Sequence, residues 1–318
     1  MMKINDIIGD AKTIGIAGHV RPDGDCMGSC MSLYNYLKKN RPDLDVRVFL
    51  EFVDKKFNII ENTDQIITTG YDGTKFDLFI SLDTASLDRL GLNLPFYENA
   101  KRTACIDHHA SNDGYADYNY ILPKASSASE VLYDLLDEDL IDKSIAEPMY
   151  MGIAHDSGVF RFQSTTPKTM RIAANMIEKG VNVNMILEET FFRKTYNQMM
   201  VTAKIQSEAV LALDGKCIYG YCTSEMMEEY GVTTKDLDAV VASIRNVDGV
   251  EVAMFLYQLS EDSYKVSLRS KNYVDVSKIA VFFGGGGHVR AAGCDMQGSM
   301  YDVINNLTAE IEKQLAEE

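Results

Sequence analysis

Positive charge and histidine are both scarce in this chain. Lys and Arg number 31 against 47 Asp and Glu, a formal net charge of −16 over 318 residues. A protein that grips long duplex nucleic acid neutralises phosphates with Lys and Arg, so that class is excluded. A short anionic substrate is not, because bound divalent cations can bring the missing positive charge. No apolar run approaches the roughly 18 residues a membrane span requires. Residues 1–12 carry neither the apolar core nor the cleavage site of a secretory signal. The six cysteines (Cys26, Cys30, Cys105, Cys217, Cys222 and Cys294) form no C-x-x-C pair, and several sit inside apolar segments. That pattern reads as reduced thiols, not a disulfide framework. The expectation is a cytoplasmic protein without a membrane anchor.

What remains is ordinary globular composition, 46% hydrophobic and 25% charged, in a chain long enough for two domains. Residues 13–17, 45–50, 77–83 and 103–106 are short apolar runs with strand character, and a helical pattern fills residues 27–39. Alternating strands and helices imply βαβ units around a doubly wound, mainly parallel sheet. Residues 126–136 and 145–154 read as helices. Thr166 is placed as the N-cap of another, with Pro167 at its first position and Gly180 as its stop. A helical stretch without strand signals covers residues 183–211. Beyond it, residues 216–222, 250–259 and 264–269 read as strands, with helices at 234–245 and 303–316. The fold class is therefore α/β: an N-terminal domain at 1–190, a helical linker at 191–212, and a smaller α/β domain with a mixed sheet at 213–318.

Five histidines serve the whole chain, and two are adjacent, in Asp107-His108-His109 at the end of an apolar strand. Two neighbouring core histidines would be an odd use of space. Adjacent side chains on an extended segment point to opposite faces. One imidazole can therefore bind a metal while the other meets substrate, with Asp107 fixing a ring tautomer. His19-x-x-x-Asp23-x-Asp25 lies on a strand-to-helix turn, and two carboxylates one residue apart can point to the same side. These N and O donors suit Mn²⁺ or Mg²⁺ over a thiolate-favouring ion, although Asp and Gly are also common in solvated turns. Asp83 and Asp156 each end an apolar segment, where a carboxylate can be a metal ligand or a helix cap. The carboxyl ends of strands in a parallel sheet permit His19, Asp23, Asp25, Asp83 and Asp107 to His109 to meet in one cleft. Gathered there uncompensated, the carboxylates would repel; two divalent cations would make the cluster favourable. Further on, Gly284-Gly-Gly-Gly-His288 lacks the spacing of a dinucleotide-binding turn. The amides of Gly285, Gly286 and Gly287 can approach a phosphate closely, with His288 and Arg269 as further partners.

Taken together these motifs resemble the DHH/DHHA1 phosphoesterase family over nearly the whole chain. The first motif is similar to His19-Val-Arg-Pro-Asp-Gly-Asp25-Cys-Met-Gly-Ser29. The second resembles Ser81-Leu-Asp83, followed by Asp88-Arg89-Leu-Gly91. The third is Asp107-His108-His109 and the fourth resembles Asp156-Ser-Gly158. Gly284–His288 with Ala291-Ala-Gly293 resembles the DHHA1 signature. One departure is His155-Asp156-Ser157, where many members carry Thr beside the Asp. The nearest subgroup looks like the stand-alone nano-RNase and pAp-phosphatase type, which also includes phosphodiesterases of linear or cyclic di-adenylate. The resemblance implies one Mn²⁺ held by His19, Asp23 and Asp83, and a second by Asp25, Asp83, His108 and Asp156, with Asp83 bridging; Mg²⁺ or Co²⁺ are alternatives. It also implies in-line attack by a bridging hydroxide, with His109 and Asp107 catalytic. The implied substrates are short RNA of two to five nucleotides, a dinucleotide or a bisphosphate nucleotide, held from the second domain by Arg269, Gly285–Gly287 and His288. Cyclic-di-AMP or pApA phosphodiesterase is the alternative activity. Inorganic pyrophosphatase and a non-catalytic nucleotide-binding module follow behind it, and a homodimer is left open.

Overall fold

The computed structural model describes residues 2–237 and 240–316. The chain forms two compact units, Met1–Arg193 and Lys194–Glu318.

In the first unit β1 (Thr13–Ala17), β2 (Asp45–Phe49), β3 (Leu78–Leu82), β4 (Thr103–Asp107) and β5 (Tyr118–Ile121) form one parallel sheet in the order β2-β1-β3-β4-β5. The apolar runs exist because both faces are covered. Ile14, Ile16, Leu78, Ile80 and Leu82 enter a large core on one side, while Phe79 joins Phe49, Phe76 and Phe96 on the other. Gly15 makes room for that aromatic cluster, since a Cβ there would lie 2.4 Å from the Phe79 ring. From β1 the chain goes one way to β2 and the other way to β3, β4 and β5. The switch point therefore lies between β1 and β3, where open α/β sheets hold ligands. β5 is an addition to the expected strands. It is a half-exposed edge strand, Tyr118-Asn-Tyr-Ile121, without an apolar run to signal it.

The helices of this unit are α1 (Ile4–Ile8), α2 (Gly24–Asn40), α3 (Leu94–Glu98), α4 (Ala128–Leu135), α5 (Lys143–Asp156), α6 (Pro167–Glu178) and α7 (Val183–Leu187). α2 starts three residues before the apolar pattern does, because Asp23 caps it, accepting hydrogen bonds from the amides of Asp25 and Cys26. α2 and α5 run antiparallel in close contact. Asn35 Nδ2 donates to the Ser144 carbonyl over 2.8 Å, and at the other end a Cβ on Gly28 would lie 2.8 Å from the Gly152 nitrogen. This packing sets the first turn of α2 beside the last turn of α5. α6 has the expected Thr166 cap and Pro167, and Gly180 follows it at φ +96°.

The stretch at 183–211, expected to be helical without a strand, is helical up to Ser207 in separate pieces and ends in a strand. It comprises α7, a π-helical turn (Glu188–Phe192), α8 (Tyr196–Ser207) and then a strand, β6 (Val210–Ala212). In the second unit β6 is followed by β7 (Cys217–Cys222), α9 (Ser224–Tyr230), α10 (Val240–Ile244), β8 (Val252–Ser260), β9 (Ser263–Ser270), α11 (Val276–Phe282), β10 (Gly286–His288), β11 (Ala291–Gln297) and α12 (Met300–Leu315). Residues 238 and 239 of the helix expected at 234–245 lie outside the described residues; a 3₁₀ turn, Thr234–Asp236, and α10 flank them. The sheet order is β10-β11-β9-β8-β7-β6, with β7 and β8 parallel and the other neighbours antiparallel, the mixed sheet that was expected. Val252, Met254 and Leu256 of β8 enter one core and Ala253 and Phe255 the other, where Val201 and Ile205 of α8 also pack. Glu251 is a buried anchor just before β8, accepting hydrogen bonds from the amides of Asn272, Tyr273 and Val274. All six cysteines are free and buried. Among the described residues no helix is long and apolar enough to cross a membrane.

Candidate metal centre and a polar row of the second sheet

The switch point between β1 and β3 gathers the polar residues of the first unit. His19 follows β1, Asp83 follows β3 and His108 follows β4, while the α2–α5 contact delivers Asp25 and Asp156. Three sets of donor atoms each lie within 4.8 Å of one another: His19 with Cys26 and Asp83; Asp25 with His108 and Asp156; and Asp83 with Asp107, His108 and His109.

Each side chain is held by a specific contact. His19 Nδ1 lies 2.7 Å from the Val20 carbonyl, which can only accept, and 3.4 Å from Arg89 Nη2, which can only donate; the shorter contact favours the proton on Nδ1. Nε2 is thereby aimed at Asp83 Oδ2, 3.4 Å away, and at Asp23 Oδ1, 3.8 Å away. Asp23 and Asp25 diverge where the spacing allowed them to share a side. Asp23 stays at the cap of α2, whereas Asp25 is fully buried and takes hydrogen bonds from Ala128 N (2.6 Å) and Ser129 N (3.0 Å), the first amides of α4. A helix N-terminus favours an anion through its free amides and its dipole. Asp83 caps no helix, since Ser86 occupies the cap position of the turn that follows. It sits at φ +52°, a left-handed conformation that is uncommon outside glycine and recurs at functional sites. Asp156 is the last residue of α5, the dipole end that disfavours an anion, and His108 Nε2 compensates at 3.1 Å.

The triplet divides its work. His108 Nε2 turns to Asp156 and to Asp83 Oδ1, 3.5 Å away. His109 Nδ1 instead donates to Asp107 Oδ1 over 2.8 Å, and Asp107 Oδ2 accepts from Asn112 Nδ2 over 2.7 Å. Burial opposes charge on His108, but Asp156 and Asp83 outweigh it and push its pKa up to about 12. His109 is raised too, against burial, by Asp107 and Asp83. Asp107 is lowered despite burial by His109 and Asn112, so it stays a carboxylate. Asp25 goes the other way, raised by burial and by repulsion from Asp83 and Asp156.

The residues fit divalent cations. Asp83 Oδ1 is buried without a hydrogen-bond partner, so a ligand lone pair is left unused. Two carboxylate oxygens within 4.8 Å, as in the Asp25–Asp156 set, repel by roughly 3–4 kcal/mol at an effective dielectric near 20. Histidines alone relieve this in part, and hard cations would relieve it fully.

The second unit has a polar row of its own. Register pairs Arg269 of β9 with Ala291 of β11, and Ala291 with His288 of β10. Directly paired residues share a face, so Arg269 and His288 flank the small Ala291. Gly286 and Gly287 of the glycine run belong to β10, the edge strand of a hairpin with β11, and Gly284 and Gly285 precede it. Two of its glycines are required by packing, since a Cβ would lie 2.2 Å from the Gly293 carbonyl at Gly285 and 2.5 Å from Ala292 Cα at Gly287. Gly286 has open space around it.

Sequence reasoning missed Asn112, Ala128 and Ser129. A polar residue in the short loop after β4 and the Ser126-Ser127-Ala128-Ser129 run at a helix start were the available signals. His155, beside Asp156, is a packing residue. Its Nε2 meets Thr190 Oγ1 at 2.9 Å, its ring packs on Phe57 and Phe191, and burial lowers its pKa to about 4.

The model of the DHH family N-terminal domain matches residues 13–153, and that of the DHHA1 domain matches residues 214–317. The chain is 32% identical over 295 residues to the bifunctional oligoribonuclease and PAP phosphatase NrnA of Thermus thermophilus, covering 90% of this chain and 84% of that protein. It is 27% identical over 305 residues to the protein of the same name from Bacillus subtilis, covering 94% of each. Among solved structures, an exopolyphosphatase-related protein from Bacteroides fragilis shares the fold with a TM-score of 0.88 at 24% identity, covering 98% of this chain and 94% of that one.

Proposed function

Because the chain belongs to the DHH family, with a DHHA1 domain after the DHH domain, we propose that it hydrolyses phosphate esters of short oligoribonucleotides and of 3',5'-bisphosphate nucleotides such as pAp. Two relatives that align over most of its length are named for both activities. What supports the reading most is the Asp83 carboxylate, buried between His19 and His108 with one oxygen that accepts no hydrogen bond. That is the place for a ligand shared by two cations. In this proposal His19, Asp23 and Asp83 hold one Mn²⁺, and Asp25, Asp83, His108 and Asp156 hold the other. When bound, such ions supply an activated water at neutral pH and neutralise charge developing on the phosphoryl group.

The chain's own residues do the rest. The Val20 carbonyl fixes the His19 ring so that Nε2 faces the centre, and the amides of α4 hold Asp25 in place. Asp107 keeps the His109 Nδ1 proton and favours the imidazolium, leaving Nε2–H to donate to a phosphoryl oxygen or to the leaving oxygen. In the second unit Arg269 and His288 offer N–H donors from one row of the sheet to a substrate phosphate, beside Gly285, Gly286 and Gly287. The cytoplasm is the proposed setting, in keeping with six buried free thiols.

The test is initial rates with Mn²⁺ on pAp, a labelled five-mer RNA, pApA, cyclic di-AMP and pyrophosphate in parallel. The expected result is turnover of pAp and of the five-mer, lost in Asp83→Asn. Turnover of pyrophosphate alone, or full activity in Asp83→Asn, would overturn the proposal. A preference for pApA or cyclic di-AMP would move the activity to the di-adenylate phosphodiesterases.

A further inference from the structure

One soft atom sits among the hard donors of the centre. Cys26, one residue after Asp25 in the first turn of α2, is completely buried. Its Sγ shares a 4.8 Å set with a ring nitrogen of His19 and a carboxylate oxygen of Asp83. Around one tetrahedral ion, with a metal–sulfur distance near 2.3 Å and metal–nitrogen near 2.0 Å, such donors stand roughly 3.5 Å apart. A small side-chain adjustment brings the three to that spacing. The backbone is built around the sulfur as well. A Cβ on Gly18 would lie 2.2 Å from Cys26 Sγ, so only glycine at that position leaves it room. Sγ has only weak partners, the His19 carbonyl 3.9 Å away and the neighbouring Cys30 thiol. A second sign of a missing cation is the other oxygen of the same carboxylate, Asp83 Oδ1, which is buried without a hydrogen bond and has only the His108 and His109 rings near it, at 3.5 and 3.7 Å.

We infer that Cys26 Sγ is a metal ligand at the His19–Asp83 half of the centre, and that this half selects a thiophilic divalent ion such as Zn²⁺, Co²⁺ or Cd²⁺ over Mg²⁺. The inference rests on the reading of the cluster as a cation site and adds a donor to it. Hard oxygen donors alone favour Mg²⁺ or Mn²⁺, whereas a thiolate shifts the preference toward softer ions. On binding, the S–H bond breaks, the metal–sulfur bond forms and the proton leaves to water; no electron is transferred.

The test uses the full chain stripped of metal with a chelator and titrated with Cd²⁺, following the ultraviolet thiolate-to-cadmium charge-transfer band. The band should saturate at one Cd²⁺ per chain, vanish in Cys26→Ser and persist in Cys30→Ala. Loss of an outer hydrogen-bond partner alone costs a site about 10–100-fold in affinity. Loss of this ligand should therefore weaken Cd²⁺ by at least on the order of tenfold, and Mn²⁺ by much less. No saturable band, or a band that survives Cys26→Ser, overturns the inference. If Cys26→Ser does not fold, X-ray absorption of the parent with one Cd²⁺ bound decides, with one sulfur neighbour expected and none refuting. The same preparation assayed on pAp with Mn²⁺ separates the two readings. Hydrolysis without the band refutes Cys26 and leaves the activity standing, and the band without hydrolysis does the reverse.

Discussion

The Asp107→Asn substitution isolates the hydrogen bond that sets His109. The change keeps the shape of the side chain and removes its charge. Asp107 Oδ1 accepts from His109 Nδ1 at 2.8 Å and Oδ2 accepts from Asn112 Nδ2 at 2.7 Å. The new amide has one acceptor for two donors. If its NH₂ faces Asn112, two donors meet, and Asn112 is not free to flip because its Oδ1 accepts from the Gly114 amide. If it faces His109, the ring must move its proton to Nε2. A hydrogen bond to a charged group is worth about 1.5–3 kcal/mol, and one pKa unit is about 1.4 kcal/mol. The His109 pKa should therefore fall, since the charge that raises it is gone. With the imidazolium depleted and the tautomer divided, kcat on pAp near neutral pH should drop on the order of 10–100-fold, with KM changing much less. The chain holds only five histidines, so imidazole nitrogen NMR can follow His109 directly. An unchanged His109 tautomer and pKa, with kcat within about twofold of the parent, would refute the coupling.

Other expectations follow from neighbouring contacts. A methyl group on Gly152 would lie 2.1 Å from Ser129 Oγ and 2.7 Å from Asp25 Oδ1. Gly152→Ala should therefore cost about 1–3 kcal/mol in thermal or urea unfolding, and should weaken cation binding by displacing Asp25, both readable by calorimetry. Glu251→Ala strips the acceptor from three backbone amides in the second unit. At about 1–3 kcal/mol for a buried donor left unsatisfied, that unit should unfold first, seen as a separate early transition. His19 and His108 are both raised from 6.5 to about 12 by neighbouring charges that overcome burial. Their contribution to the stability of the metal-free protein is complete below about pH 6.5 and is lost as pH rises toward 12. A cation needs the neutral rings, so binding near pH 7 should release protons. Apparent affinity should then rise about tenfold per pH unit for each proton released, measured by titration in buffers of different ionisation enthalpy.

The parallel strands of the first unit were legible because burial on both faces writes them as unbroken apolar runs, as in residues 78–82. Of the strands that escaped notice, β10 and β11 are rich in Gly and Ala, β5 alternates Tyr with Asn and Ile, and β6 is only three residues long. β5, β6 and β10 lie at sheet edges, where one flank faces solvent and no apolar run is needed. Helix ends were legible where a cap residue marks them, as at Thr166, because capping is a contact between neighbours in sequence.

The same division holds at the candidate centre. The sequence by itself marked which residues were candidates for the chemistry, the carboxylates and imidazoles at the ends of apolar segments. It also determined that they would meet, because a parallel sheet collects its carboxyl ends on one edge. Only the tertiary structure decided how they divide. Asp23 remains a cap while Asp25 is taken by α4, and His108 turns to Asp156 while Asp107 claims His109. It also decided that Cys26 stands among the donors and that Arg269 and His288 share a face across Ala291. Each of these outcomes depends on contacts between segments far apart in the chain, set by helix packing and strand register. Local composition and spacing carry no term for them.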